Sequence, residues 1–317
     1  MFDSIRETID YAVENNMSFA DIMIQEEMEL SGQSRDEVRD LMKENLQVMR
    51  DAVVKGTTGN GVESVTGYTG HDAAKIRDYN ENYHALSGHE MMEAVKGAVA
   101  TNEVNAAMGI ICATPTAGSS GTIPGVLFKL EKTHGLTEDQ MIDFLFVASL
   151  FGRVVANNAS VAGATGGCQA EVGSASAMAA AAAVSVFGGE PEASGHAMAL
   201  AISNLLGLVC DPVAGLVEIP CVMRNAIGSG NALISADLAL AGVKSRIPVD
   251  EVIEAMDKVG RNLPAQLRET GLGGLAGTPT GEAIKQKIFG NAEDPVCLLY
   301  TSPSPRDVEE SRMPSSA

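Results

Sequence analysis

Basic residues are scarce in this chain: 22 Lys and Arg stand against 41 Asp and Glu in 317 residues, a formal net charge of −19. Binding to a phosphate backbone draws on clustered cations that release counterions, and no basic stripe is present, which argues against a nucleic-acid partner. Tryptophan is absent and aromatics reach only 4%. The cysteines number five, odd and irregularly spaced behind a charged beginning. They fit neither a disulfide scaffold nor a secretory signal, so the expected compartment is the reducing cytoplasm. Clean apolar runs are missing too. Residues 104–128 carry no charge but hold Pro115, Pro124 and four glycines, which would leave backbone unsatisfied in lipid. The alanine-rich stretch 172–189 has an apolar centre, residues 177–187, too short to span, so no membrane segment is expected.

What is plentiful is small and apolar. Glycine numbers 33 and apolar residues make up 45%, enough for a large core and too many for disorder. Runs of β-branched residues with period two are nearly absent, so the fold class is mainly α. Ile5, Ile9, Ala12 and Val13 mark one helical face, and Ser34 with Glu37 forms a capping box. Residues 1–54 read as a helical segment packed on a catalytic domain of residues 55–290. Residues 55–70, KGTTGNGVESVTGYTG, are too rich in glycine and threonine for regular structure and read as a mobile loop. Thr137 with Gln140 is a second capping box. Later helices are expected from Pro191 to Val209, from Cys221 to Val243 and from Val249 to Thr270. Residues 291–317 are Ser/Pro-rich, resemble translated linker sequence, and are set apart from the fold together with Cys297.

Three cysteines, Cys168, Cys210 and Cys221, each sit beside a breaker, in GGC, CDP and PC. Zinc sites use close cysteine pairs within a turn, so this spacing is a poor zinc match. Loop thiolates converging on an iron–sulfur cluster are chemically reasonable; the alternative is three buried free thiols acting as small hydrophobes. Cys112 reads as a packed thiol. The run Thr114-Pro-Thr-Ala-Gly-Ser-Ser-Gly121 precedes a helix start near Ile123 and offers backbone amides to a carboxylate or phosphate, or is an ordinary buried turn. No Walker lysine follows it. Gly271-Leu-Gly-Gly-Leu-Ala276 has the glycine spacing of a dinucleotide fingerprint, but a helix rather than a strand is expected before it. None of the five histidines forms a close metal pair. His71 and Lys75 follow the Gly/Thr segment, where a general base can be brought over a substrate.

Taken together, GCQAEVG (167–173), CDPVAG (210–215), PCVMRNA (220–226), ATPTAGSSG (113–121), ANNASVAG (156–163) and RETGLGGLA (268–276) resemble the α chain of the iron–sulfur-dependent L-serine dehydratase family. The resemblance runs from the first helices to Phe289. It implies a single helical catalytic domain whose glycine-rich loops converge on a [4Fe–4S] cluster, held by Cys168, Cys210 and Cys221. It also implies deamination of L-serine to pyruvate and ammonia without pyridoxal phosphate, a step of amino-acid degradation and gluconeogenesis, with the open iron acting as Lewis acid on the β-hydroxyl. Thr116, Ser119, Ser120, Gly121, Asn102, Asn105 and Asn158 are the candidate substrate-binding residues, Lys75 or His71 the candidate base, and Arg224 and Asn225 the supports of the cluster loop. A β subunit bearing a regulatory domain, and an oligomer, are the implied partners. The rivals are a related hydro-lyase acting on threonine or another β-hydroxy acid, a non-catalytic cluster-bearing subunit, and a dinucleotide-dependent oxidoreductase.

Overall fold

A computed structural model describes residues 2–290. Thirteen α-helices follow one another among them: α1 (Ile5–Asn15), α2 (Phe19–Ser31), α3 (Arg35–Thr57), α4 (Asp72–Asn82), α5 (His89–Ala106), α6 (Thr122–His134), α7 (Glu138–Asn158), α8 (Gly163–Gly166), α9 (Ser174–Val186), α10 (Pro191–Leu205), α11 (Cys221–Leu240), α12 (Val249–Asn262) and α13 (Pro279–Phe289). β pairing among the described residues is confined to two isolated bridges, Glu63 with Gly70 and Cys210 with Arg268. No helix among them is long and apolar enough to cross a membrane. The segment 291–317 and Cys297 lie outside the described residues.

The alanine helix α9 is the axis of the packing. Every residue from Ser174 to Val184 is buried, as expected of a helix apolar all round. Alanine adds little radius, so α7, α10 and α11 approach it closely. The bulk comes from α7, whose Phe144, Phe146 and Phe151 are fully buried; Phe151 meets Phe19 of α2 edge-on at 5.0 Å. The N-terminal helices join this same core through Ile5, Phe19, Met42 and Met49. Alongside it α5 and α6 touch backbone to backbone: a Cβ on Gly121 would lie 2.1 Å from the Ala98 carbonyl oxygen. Glycine there is a steric requirement.

Both predicted capping boxes are present, Ser34 with Glu37 on α3 and Thr137 with Gln140 on α7. Several boundaries differ from expectation. Val13 is 59% exposed, because α1 turns Ile5, Thr8, Ile9 and Ala12 inward and Val13 lies about 40° beyond Ile9, the edge of that stripe. Helix α10 stops at Leu205 and α11 at Leu240, short of Val209 and Val243. Helix α12 stops at Asn262 rather than Thr270, since Pro264 disfavours helical backbone at Leu263. The Gly/Thr segment, expected to lack regular structure, is hydrogen-bonded across itself. Helix α3 runs into it as far as Thr57; beyond, Ser64 N donates to Thr69 O at 2.9 Å and His71 N to Val62 O at 2.8 Å.

Candidate active site

The three candidate cysteines come from three separate segments. Cys168 precedes a π-helical turn, Gln169–Gly173, that leads into α9; Cys210 follows α10; Cys221 opens α11. They are 2%, 2% and 5% exposed. Hydrogen bonds from buried side chains fix these segments against one another. Gln169 Nε2 donates to Met256 O at 2.8 Å, while its Oε1 accepts from Gly207 N at 2.9 Å, tying α12 and the approach to Cys210 onto the Cys168 turn. The Cys210 backbone is held by Leu267 O at 2.9 Å and Glu269 N at 2.7 Å.

Burial pushes the Cys168 thiol up to about 12 and raises Cys210 and Cys221 as well, and the Glu171 carboxylate adds to each shift. Without a cation beside them the thiols are therefore neutral. Arg224 is a cation at hand. Burial works against its charge, but the Asp211 carboxylate, joined by the Cys168 thiolate whenever that group is ionised, outweighs burial and raises its pKa. It pairs with Asp211 at 2.7 Å and donates to Val209 O at 2.7 Å. No three Cys, His, Asp or Glu groups among the described residues cluster as the ligands of a single metal ion. A cubane places its thiolates on different irons, so its ligands stand farther apart than those of a mononuclear site.

Glu171 is the residue that sequence reasoning missed. It is 7% exposed, accepts from Thr116 Oγ1 at 2.7 Å, and lies 3.7 Å from Cys210 Sγ. It thereby joins the thiol site to the 114–121 loop. Both Gly118 and Gly163 leave room for it: a Cβ on either would come within 2.9 Å and 2.6 Å of its carboxylate oxygens. A signal was there to find, since Glu171 is the only charged residue between Arg153 and Glu190.

The 114–121 loop contains Thr116, Ser119, Ser120 and Gly121 as expected, yet the amides of those four residues are already used. Ser119 N donates to Thr116 O at 3.2 Å and Ser120 N to Ala117 O at 3.3 Å. Asn225 Oδ1 takes the amides of Gly121 and Thr122 at 3.0 and 3.1 Å, and its Nδ2 reaches Gly118 O at 2.7 Å and Cys221 O at 3.0 Å. Asn225 thus caps α6 and joins this loop to the start of α11. Side-chain atoms are left over as well. Asn102, with its Nδ2 on Ser120 Oγ at 3.2 Å, has a buried Oδ1 without a partner, and so has Thr114 at its Oγ1. Asn105 is half-buried on the same helix. Asn158 points elsewhere, donating to Asp3 O at 2.7 Å and Val154 O at 2.9 Å.

His71 sits in left-handed conformation, φ 63°, at the start of α4. Its Nδ1 lies 2.8 Å from Asn60 O, which only accepts, so the proton resides on Nδ1 and the Nε2 lone pair is available. Glu103, next to Asn102, anchors this turn by accepting from Asp72 N and Ala73 N at 2.8 and 3.2 Å. Glu218 anchors the preceding segment through Thr66 and Thr69 hydroxyls at 2.6 and 3.1 Å, just upstream of Cys221. Lys75 is 71% exposed and paired with Asp72 at 2.7 Å, which raises its pKa.

The glycine run 271–276 also has a place. A Cβ on Gly274, at φ 59°, would sit 2.3 Å from Asp211 Oδ2, and Leu275 N donates to that oxygen at 2.7 Å. A short 3-10 turn, Ala265–Leu267, precedes the run in place of the strand that a dinucleotide fingerprint requires.

Residues 14–276 match the family described as serine dehydratase alpha chain. A protein of Bacillus subtilis strain 168 described as a probable L-serine dehydratase alpha chain is 57% identical over 292 residues, 92% of this chain and 97% of that one. The L-serine dehydratase alpha chain of Peptoniphilus asaccharolyticus is 43% identical, covering 91% and 99% of the two chains. L-serine dehydratase 1 of Escherichia coli K12 is 35% identical over 87% of this chain and 61% of its own length. The match over most of the chain and the identity to these relatives show the family, and the chain belongs to the serine dehydratase alpha chain family.

Proposed function

We propose that this chain is the catalytic subunit of an L-serine dehydratase, converting L-serine to pyruvate and ammonia with a [4Fe–4S] cluster held by Cys168, Cys210 and Cys221. The observation that carries the reading is that three buried thiols from three segments act electrostatically on one another, two of them also on Arg224, with orphaned polar atoms at Thr114 of the adjoining loop and at Asn102 of α5. The donor set fits the group: thiolates are soft ligands for iron, and three of them leave one iron of a cubane without a protein ligand. When bound, the cluster supplies a Lewis acid for the departing β-hydroxyl.

The chain's own groups do the rest. Thr116, Ser119, Ser120, Gly121, Asn102 and Asn105 line the seat of the amino acid; with the amides of Ser119, Ser120 and Gly121 engaged, hydroxyl and amide side chains meet its carboxylate and ammonium. His71 Nε2 takes the Cα proton. Loss of that proton and of hydroxide gives aminoacrylate, which tautomerises and hydrolyses to pyruvate and ammonia without further help. Depth of burial keeps water from the thiols. The relatives named as alpha chains support a partner subunit, here a β chain with a regulatory domain, and a cytoplasmic setting suits free thiols.

Anaerobic purification, iron and sulfide analysis, and a serine-to-pyruvate assay with and without a β chain test this. Expected are about four irons per chain, pyruvate from serine faster than 2-oxobutanoate from threonine, and loss of both on air exposure. His71→Ala is expected to lower turnover by about 10²- to 10⁴-fold with iron content unchanged. A protein that stays metal-free after reconstitution, or a loaded cluster inert toward serine even with the β chain, overturns the proposal.

A further inference from the structure

A free amino acid brings an ammonium that donates three hydrogen bonds and a carboxylate that accepts them, and a buried site must answer both. Thr116, Ser119, Ser120, Asn102 and Asn105 are all neutral. Neutral side chains discriminate weakly between an amino acid and the same acid without its amine, whereas a buried carboxylate discriminates strongly.

Of the acids near the loop and the thiol segments, three are committed to holding the fold. Asp211 pairs with Arg224 at 2.7 Å and accepts from Leu275 N at 2.7 Å. Glu103 takes the two amides at the start of α4, and Glu218 takes the hydroxyls of Thr66 and Thr69. Glu171 is placed differently. Its Oε1 accepts from Thr116 Oγ1 at 2.7 Å, and that hydroxyl lies 3.2 Å from Ser119 Oγ. Its Oε2 lies 3.7 Å from Cys210 Sγ. One carboxylate, 7% exposed, thus meets the substrate loop with one oxygen and a thiol with the other.

Its charge is of no use in holding a metal. Glu171 acts electrostatically on Cys168, Cys210 and Cys221 alike. As ligands these three are anionic, and a further negative charge beside them repels them. A glutamine would keep the Thr116 contact without that repulsion. What a carboxylate adds over an amide is a seat for a cation, and its two oxygens accept up to about four hydrogen bonds, so the Thr116 contact leaves capacity for one. The guanidinium of Arg224 is turned to Asp211 and to Val209 O.

We infer that Glu171 is the specificity-determining residue of the site: its carboxylate receives the α-ammonium of the substrate, so that the site takes 2-amino-3-hydroxy acids and rejects 3-hydroxy acids that lack the amine. The inference rests on the proposed serine reaction and adds to it the group that selects an amino acid.

Two probes test it. L-alanine carries the ammonium and carboxylate of serine without the leaving hydroxyl, and 3-hydroxypropanoate is serine without its ammonium. Calorimetric titration of anaerobically reconstituted full-length protein reads both without turnover. Wild type is expected to prefer L-alanine by about tenfold or more. Glu171→Gln is expected to weaken L-alanine by about 10- to 100-fold, to change 3-hydroxypropanoate by less than about threefold, and to hold as much iron as wild type. The KM for serine is expected to rise with the L-alanine constant. Glu171→Asp, which keeps the charge on a shorter arm, is expected to recover part of the preference. A role confined to holding Thr116 would weaken both probes together. That result, an unchanged L-alanine constant in Glu171→Gln, a Glu171→Gln protein that does not load iron, or a wild type that binds both probes alike overturns the inference. Preference lost in Glu171→Gln, from a loaded wild type that leaves serine unconverted, would overturn the reaction and leave the ammonium seat standing.

Discussion

The packing of α7, α9 and α10 and the thiol end of the molecule are both buried, yet their burial rests on different chemistry. The first is mostly alanine and phenylalanine, where volume and shape decide. The second is a set of polar atoms with assigned partners: Gln169 on Met256 and Gly207, Asn225 on Gly121 and Gly118, Arg224 on Asp211, Glu171 on Thr116. A fault in the core is expected to appear as lost stability, and a fault at the thiol end as lost iron and turnover.

Replacing any one of the three cysteines is the sharpest way to separate the two. Cys210→Ser is expected to abolish iron retention and to lower turnover by at least about 10³-fold, equivalent to about 4 kcal/mol of barrier. Its melting temperature without iron is expected to stay close to that of the iron-free wild type, because a neutral thiol and a hydroxyl differ little in size. Iron analysis beside a thermal melt checks both halves. Phe151→Ala is the mirror experiment: a fully buried ring that meets Phe19 edge-on at 5.0 Å is removed, at an expected cost of about 3–5 kcal/mol in denaturant unfolding. At temperatures where this variant remains folded, its serine turnover is expected to be within about threefold of wild type. Equal loss of turnover in both variants would break the comparison.

The two regions were also unequally legible in the sequence. Helices carry their own punctuation, and Ser34 with Glu37, Thr137 with Gln140 and the Gly135 cap of α6 stand where local chemistry places them. The cysteines were legible because each neighbours a breaker. What remained hidden depends on partners far along the chain. Asn225 caps a helix more than a hundred residues earlier, and Gly274 is glycine because Asp211 lies against it. Glu171 stood out only as a lone acid in an uncharged run, and nothing nearby in sequence says that Thr116 and Cys210 flank it. Even Val13, one residue beyond its stripe, was misplaced by reading the face too widely.

A third region tests whether burying charge is costly wherever it occurs. Glu27 of α2 is 2% exposed, one of its oxygens lacks a partner, and burial pushes it up to about 7 from 4.5, with Arg153 opposing only in part. The folded state therefore holds a proton that the unfolded state has released, so stability falls as pH rises from about 4.5 to about 7 and is level above that window. The full shift corresponds to at most about 3 kcal/mol. Glu27→Gln cannot ionise and is expected to lose this slope: unfolding curves of the two proteins should diverge in the variant's favour between pH 4.5 and pH 8. A parallel pH dependence would show that Glu27 is charged in the folded protein.

The smallest expected effect concerns Lys75, which shares its setting with His71 but not its chemistry. Both follow the Gly/Thr turn, and both hold a polar contact near α4. A base must first lose its proton, and pairing with Asp72 at 2.7 Å raises the Lys75 pKa, so the free amine is rarer than for an isolated lysine. Exposure of 71% also leaves the ammonium well hydrated. His71 faces the opposite situation, with its proton held at Nδ1 by the Asn60 carbonyl and Nε2 left to accept. Lys75→Ala is accordingly expected to leave stability nearly unchanged and to change turnover by less than about twofold. Turnover of the two variants side by side completes the test: activity kept in Lys75→Ala and lost in His71→Ala is expected, and the reverse would transfer the base to the lysine.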